Sequence, residues 1–372
     1  MTKLFDPFPV AGLRLKNRFI VAPMCQYSAR HGLPNEWHLV HLGRFALGGF
    51  SLVITEATAV SPQGRISYAD TGIWTDEQAK AWRPIVEFLQ ANGAAAGIQL
   101  AHAGRKASSP VPWRGKFDET QQEKRALAFQ QWQPEAPSAE PHADGFPEPR
   151  ELGAEEMKQV LEDFAAATRR ANAAGFDVVE IHAAHGYLLN QFLSPLANHR
   201  TDAYGGSLEN RMRFPLDVIR AVRAAWPSEK PLFLRVSATD SHPDGLTPAD
   251  VAVFAMAAKE AGVDVVHCSS GGFAGARFAP ARNYQVPLAA EIRKLAEVPT
   301  VAVGLITTAE DAAAIVDNNQ ADLVALARPA LDDPNFPLHA KRTLGLNKGD
   351  YSAWPKQEGY AIRNMDRALN PA

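Results

Sequence analysis

Short apolar runs rich in β-branched residues recur along the chain: Phe19–Ala22, Leu52–Thr55, Ala96–Leu100, Val178–Ile181, Leu232–Val236, Val263–His267, Thr300–Val303 and Leu323–Leu326. Most are nearly unbroken in apolar residues, the pattern of strands covered on both faces. Between them the period changes to that of amphipathic helices. Thr75 and Gln78 form a capping-box pair that opens a helix to about Asn92, before Gly93. A helix from Glu155 to Ala174 stops at Gly175, and Ser207, behind Gly205-Gly206, caps another to about Trp226. Thr247-Pro248 opens a helix that Gly262 ends, and one more runs from Thr308 to Asn319. Strands alternating with helices predict an α/β fold, a single (β/α)8 TIM barrel, in preference to an open doubly wound sheet. No G-x-G-x-x-G follows the first strand, which argues against a dinucleotide-binding open sheet.

Two segments fall outside the repeat. From Lys106 to Arg150 the chain is long, polar and Pro-rich, an extended loop after the third strand, and loops of that length are usually functional or disordered. Residues 1–345 therefore read as the barrel, and residues 346–372 as an irregular C-terminal tail that is a candidate contact to a neighbouring subunit.

With 372 residues, 46% of them hydrophobic, the chain can bury a large core. Lys plus Arg number 38 against 41 Asp plus Glu, so no cationic field exists for nucleic acid or an anionic membrane. Cys25 and Cys268 make no disulfide framework, no apolar leader opens the chain and no run approaches 18 apolar residues. The expectation is a cytoplasmic protein without a membrane span.

In a barrel the loops after the strands converge on one mouth, so chemistry is sought where each strand ends. The first run leads into Pro23-Met24-Cys25-Gln26-Tyr27, the second into Glu56-Ala57, and the third carries Gln99 and leads to His102. The fourth enters His182-Ala183-Ala184-His185-Gly186-Tyr187, the fifth carries Arg235, the sixth reaches Cys268-Ser269-Ser270, the seventh Gly304 and the eighth Ala327-Arg328. Polar groups at buried strand ends are costly unless something satisfies them. Gly304 and Arg328 suit a phosphate, with a turn glycine and a surface ion pair as the plain alternative. Gln99 and Arg235 suit the edge of a heterocycle that becomes anionic, such as a reduced flavin, or else an interior hydrogen-bond network. His182 and His185 could grip a carbonyl or nitro oxygen, or bind a metal with His102 or Glu56 as third ligand. Tyr187 is a candidate proton donor or a rim aromatic. Cys25 is a small buried hydrophobe or, facing a cofactor, a weak S–H donor.

Four stretches carry a resemblance: Ala22-Pro23-Met24-Cys25-Gln26-Tyr27, 99–106 (QLAHAGRK), 182–188 (HAAHGYL) and 199–207 (HRTDAYGGS). Together they resemble the Old Yellow Enzyme family, and Cys25 with Tyr27 is similar to its thermophilic-like branch of NADPH dehydrogenases and xenobiotic reductases. The resemblance implies an FMN-containing (β/α)8 barrel that uses NADPH or NADH to reduce activated C=C bonds by a ping-pong mechanism. It implies flavin contacts from Ala22, Pro23, Met24, Cys25, Ala57, Gln99 and Arg235, and phosphate contacts from Gly304, Ala327 and Arg328. It implies that His182 and His185 bind the alkene substrate's electron-withdrawing group, that Tyr187 donates the proton, that Tyr27 contacts substrate and that Cys25 tunes the flavin. It also implies a homo-oligomer, dimer or tetramer, in which a C-terminal Arg or Trp reaches a neighbour's site, and Trp354 and Arg363 are both candidates. The competing reading is a metal-dependent hydrolase or lyase built on His102, His182 and His185. A Schiff-base aldolase lacks a strand-end lysine, and a binding barrel leaves the polar constellation unexplained.

Overall fold

The computed structural model describes residues 2–113, 131–277 and 279–369. Eight parallel strands close into a barrel: β1 (Phe19–Val21), β2 (Leu52–Ala59), β3 (Ala95–Ala101), β4 (Val178–Ala183), β5 (Leu232–Ser237), β6 (Val265–Ser269), β7 (Thr300–Ala302) and β8 (Leu323–Leu326). The closure is made by β8, which pairs with β1 through Val324 opposite Phe19. Around the barrel run α1 (Glu36–Leu47), α2 (Asp76–Ala91), α3 (Ala154–Ala174), α4 (Leu208–Ala225), α5 (Pro248–Glu260), α6 (Val286–Ala296), α7 (Ala309–Asp317) and α8 (Phe336–Thr343). The TIM barrel expected from the repeat is the fold observed.

Local chemistry explains the helix starts. The Thr75 hydroxyl accepts the Gln78 N–H while the Gln78 side chain accepts the Thr75 N–H. Ser207, Thr247 and Thr308 accept N–H groups from the first turns of α4, α5 and α7. The sequence pattern missed α1, whose capping box is Asn35 with His38. Its Trp37 and Val40 are exposed while His38 and His41 are buried, which inverts the expected polarity.

Strand alternation divides the core into two layers. Ile20, Leu52, Ile54, Val178, Phe233, Val265, Val301 and Leu323 fill the barrel interior. Val53, Ile98, Ile181, Leu234, Val236 and Cys268 face the helices and pack with Phe45, Trp82, Phe164 and Phe254. Each such side chain contributes about 1.5–3 kcal/mol on burial, so this double layer dominates the fold's stability. An antiparallel hairpin, Phe8–Val10 with Leu13–Leu15, adds Phe8, Val10 and Leu15 to the interior cluster. Pro9 and Arg14 stand at the centres of these two strands and leave no apolar run, so this element was not anticipated.

Several boundaries differ from the pattern. The second strand extends to Ala59, past a register shift between Ile54 and Ala57. The sixth begins at Val265, because the Val263 N–H bonds Ala258 O as part of the helix stop. In the long loop, Glu135–Ala136 pairs with Arg150–Glu151; the rest of that expectation, residues 114–130, lies outside the described residues. The tail expected to be irregular carries a helix, Lys356–Leu369. Ile362, Met365 and Leu369 recur along it at helical spacing, and Asp366 forms an ion pair with Arg342 of α8. Among the described residues no helix is long and apolar enough to cross a membrane.

Candidate active site

Period-two alternation turns Gln99, Glu180, His182, Arg235, His267 and Ser269 inward at the upper end of the barrel. The register aligns Gln99 with Glu180, His182 with Arg235, and Arg235 with His267. Glu180 sits at the centre of this polar layer, with no exposed surface. One carboxylate oxygen accepts from Gln99 Nε2 at 2.7 Å, and the other meets His267 Nδ1 at 2.8 Å. Burial alone would raise the Glu180 pKa, but His267, Arg235 and Gln99 together hold it below the ordinary carboxylate value. Burial lowers His267 despite its acidic partner, so the pair is a carboxylate accepting from a neutral imidazole. Gln99 is thus partly the interior-network residue weighed as its alternative reading, while the Arg235 Nε is buried without a partner.

Arg235 also lines a cavity of about 130 Å³ together with Ser269, Gln285, Gly304, Ala327 and Arg328. Gly304 has φ +114°, and a Cβ there would lie 2.8 Å from the Gln285 amide oxygen. Only glycine keeps this wall open without strain.

Beyond β4 the chain turns sharply, with His185 at φ +59°. Gly272, from the loop after β6, comes so close that a Cβ would fall 2.0 Å from the His185 carbonyl carbon. The turn is fixed from three sides. The His185 N–H donates to Ser237 Oγ at 2.9 Å, and the Lys106 ammonium donates to the His185 carbonyl at 2.9 Å and to Gly272 O at 3.2 Å. The His185 ring nitrogen Nε2 lies 2.7 Å from Ser269 Oγ. The His182 Nδ1 accepts the Ala184 N–H at 3.2 Å. Edge-to-face contacts set the His182 ring 5.1 Å from His185 and 4.9 Å from Tyr187.

Burial, then the Arg235 cation, holds both histidines well below their ordinary pKa, so both imidazoles are neutral. Burial and Arg105 pull Lys106, 4.9 Å over the Tyr187 ring, down to about 8. Burial pushes the phenols of Tyr27 and Tyr187 up, so both hold their protons at neutral pH. Burial, with the carboxylates of Asp70 and Glu56, likewise raises the Cys25 thiol.

Cys25, Tyr27 and Tyr187 pack around Ala57, Ala101 and Ala103, with Trp132 from the long loop. Trp113 meets Tyr27 edge-on at 5.6 Å. Ala22 packs into the interior layer at the top of β1, and Met24 packs against the outer core. His102 and Glu56 are not part of this cluster. His102 accepts the Gly104 N–H and its other ring nitrogen is 3.7 Å from Glu135, while Glu56 meets His38 at 3.2 Å and accepts the Gln26 N–H. Among the described residues no three His, Cys, Asp or Glu gather to hold a metal, so the metal-dependent reading finds no support there.

The family profile for NADH:flavin oxidoreductases / NADH oxidases matches residues 3–347. The chain belongs to the NADH:flavin oxidoreductase / NADH oxidase family. It is 46% identical over 347 residues to an NADPH dehydrogenase of Geobacillus thermodenitrificans, covering 93% of this chain and 95% of that one. It is 45% identical over 344 residues to an NADPH dehydrogenase of Bacillus velezensis, covering 92% and 95%. The fold matches morphinone reductase in complex with tetrahydroNAD (TM-score 0.76, 30% identity, 97% and 96% covered). It also matches an old yellow enzyme homologue from Zymomonas mobilis (TM-score 0.75, 29% identity, 96% and 98% covered). The chain is therefore an oxidoreductase whose cofactor is FMN and whose hydride donor is NAD(P)H.

Sequence reasoning named Gln99 and Arg235 but missed Glu180 and His267 between them. The signal was present: a lone acid in Val178-Val179-Glu180-Ile181 and a lone histidine in Val265-Val266-His267 interrupt otherwise apolar strands. Ser237 and Ser269 end the fifth and sixth strands, where polar residues were sought, but no role was read for them; Lys106 and Gln285 left no such mark, because their positions matter only through loops that meet in space.

Proposed function

We propose that this oxidoreductase is an ene-reductase, reducing C=C bonds activated by a carbonyl or nitro group, such as enones, enals, maleimides and nitroalkenes, in a ping-pong cycle. FMN supplies the relay of hydride from the nicotinamide to the alkene. The buried Arg235 Nε without a partner and the open wall at Gly304 support its fit to the cavity. In this reading Gln99 and Arg235 hold the pyrimidine edge, Ala22, Pro23, Met24, Cys25 and Ala57 flank the ring system, and Gly304, Ala327 and Arg328 hold the phosphate. Arg235, a buried cation, stabilises negative charge at that edge.

The observation that carries the proposal is the turn after β4, where two neutral imidazoles and a protonated phenol stand with ring centroids 5.1 and 4.9 Å apart. His182 and His185 donate to the activating oxygen and polarise the alkene. Tyr187 keeps a proton for the α-carbon, with Lys106 over its ring. Tyr27 contacts substrate, and Cys25 stays a thiol that tunes the cofactor. Arg363, exposed on the C-terminal helix, is the candidate to reach a neighbouring copy in a homo-oligomer, since the Trp354 ring packs at a tilt against His339 of its own chain, 5.6 Å between centroids.

The test is stopped-flow reoxidation of the reduced enzyme by cyclohexenone. Tyr187→Phe is expected to slow it by about 10²–10⁴-fold, while reoxidation by a quinone, which needs no carbon protonation, stays fast. His182→Ala with His185→Ala is expected to lose about 2–4 kcal/mol of transition-state stabilisation per donor. Wild-type enone rates in both variants would overturn the reading.

A further inference from the structure

A neutral imidazole has a single N–H, so each histidine of the pair can donate to a substrate oxygen from only one nitrogen. For His182 the choice is local: its Nδ1 accepts the Ala184 N–H, which puts the proton on Nε2. For His185 it is not, because the partner of Nε2 is a hydroxyl that can either donate or accept. If Nε2 carried the proton, it would be spent on Ser269, and Nδ1 would offer the substrate oxygen a repelling lone pair.

The surroundings of Ser269 decide the direction. Gln285 precedes α6 but makes no cap to it; its amide Nε2 instead lies 2.7 Å from Ser270 Oγ and 3.3 Å from Ser269 Oγ. Both Ser269 and Gln285 are buried, at 4% and 3% exposure, on the wall of the cavity that Arg235 lines. A hydroxyl that accepts from an amide N–H keeps its own proton to give, and the acceptor 2.7 Å away is His185 Nε2. Gly304 leaves the amide oxygen its room, since a Cβ there would press on that atom at 2.8 Å.

We propose that Gln285 and Ser269 form a one-way hydrogen-bond relay that fixes His185 as its Nδ1–H tautomer, making Ser269 a positioning residue for the substrate oxygen. The two histidines then donate from opposite nitrogens, His182 from Nε2 and His185 from Nδ1. The second-layer hydrogen bond sets which ring nitrogen is active, as it does for imidazoles in catalysis generally. The inference rests on the reading that this pair binds the activating oxygen, and its test separates the two.

The experiment is ¹H–¹⁵N long-range correlation of the FMN-loaded, ¹⁵N-histidine-labelled enzyme, with the His185 signals assigned by their loss in His185→Gln. Titration with 4-hydroxybenzaldehyde, a phenol that mimics the substrate oxygen, runs beside it. The wild type is expected to show a protonated Nδ1 and a bare Nε2. Ser269→Ala is expected to lose this bias and to bind the phenol about tenfold more weakly, and Ser269→Thr, which keeps the hydroxyl, to restore both. Gln285→Glu replaces the donor by an acceptor, so the Ser269 proton turns toward it and the His185 proton moves to Nε2. A wild-type His185 protonated on Nε2, or an unchanged Nδ1–H in both Ser269→Ala and Gln285→Glu, overturns the relay. A tautomer that moves as expected without any change in phenol affinity upholds the relay and instead overturns the donor role of His185.

Discussion

Removing the Glu180 carboxylate tests the polar layer beneath the mouth. In Glu180→Ala, His267 Nδ1 and Gln99 Nε2 lose their acceptor in a site with no access to water. Hydrogen bonds to a charged group are worth about 1.5–3 kcal/mol each. The change also strands Arg235, whose Nε is already without a partner. Breaking one partner out of a buried charged pair costs about 3–5 kcal/mol, which agrees with the sum of the two bonds. The expected loss at pH 7 is therefore about 3–5 kcal/mol, read as a lowered urea midpoint with unchanged slope. The pH dependence adds a second check. Because the native pKa of Glu180 lies below its unfolded value, its stabilisation is fully present above the unfolded carboxylate range, about 4.3. It drains away as pH falls through the lower native pKa. Wild type and variant should converge in acid. A variant as stable as wild type at pH 7, or a gap that persists undiminished to the lowest pH at which both fold, refutes the reasoning.

Arg235→Ala should weaken FMN binding, measured by fluorescence recovery on titration of the apoprotein; unchanged affinity together with unchanged reduction kinetics removes Arg235 from the pyrimidine edge. Cys25→Ser should shift the flavin midpoint potential while leaving turnover measurable, because burial keeps the thiol protonated and out of covalent chemistry; complete inactivation with flavin bound would mean a nucleophilic role. Lys106, with its pKa near 8, is charged below that pH and neutral above it. Affinity for an always-ionised phenolate should fall as pH rises through about 8, and Lys106→Met should flatten that step; a step that survives the substitution belongs to another group.

Much of the barrel was written in local signals. Eight apolar runs and helix caps such as Thr75, Ser207, Thr247 and Thr308 act over a few residues, so periodicity and capping chemistry expose them directly. The strand-end rule then pointed to Gln99, His182, His185, Arg235 and Gly304, because a polar or glycine residue closing a buried strand is conspicuous in one dimension. Elements that owe their form to distant contacts escaped. The Phe8–Val10 hairpin is held by the barrel interior, and the C-terminal helix is tied to α8 by Arg342.

What the sequence determined by itself was the strand–helix alternation, the residue types at the mouth and the family they belong to. Tertiary structure alone decided how those residues are used. Glu180 lies 81 residues from Gln99 and 87 from His267, yet one carboxylate satisfies both. His185 is 84 residues from the Ser269 hydroxyl that meets its ring. Protonation states followed the same rule: burial, a property of the whole assembled barrel, keeps the two histidines neutral and the tyrosines protonated. No local pattern encodes the burial of these polar side chains or a proton's direction along a hydrogen bond, because both depend on which strands become neighbours when the barrel closes.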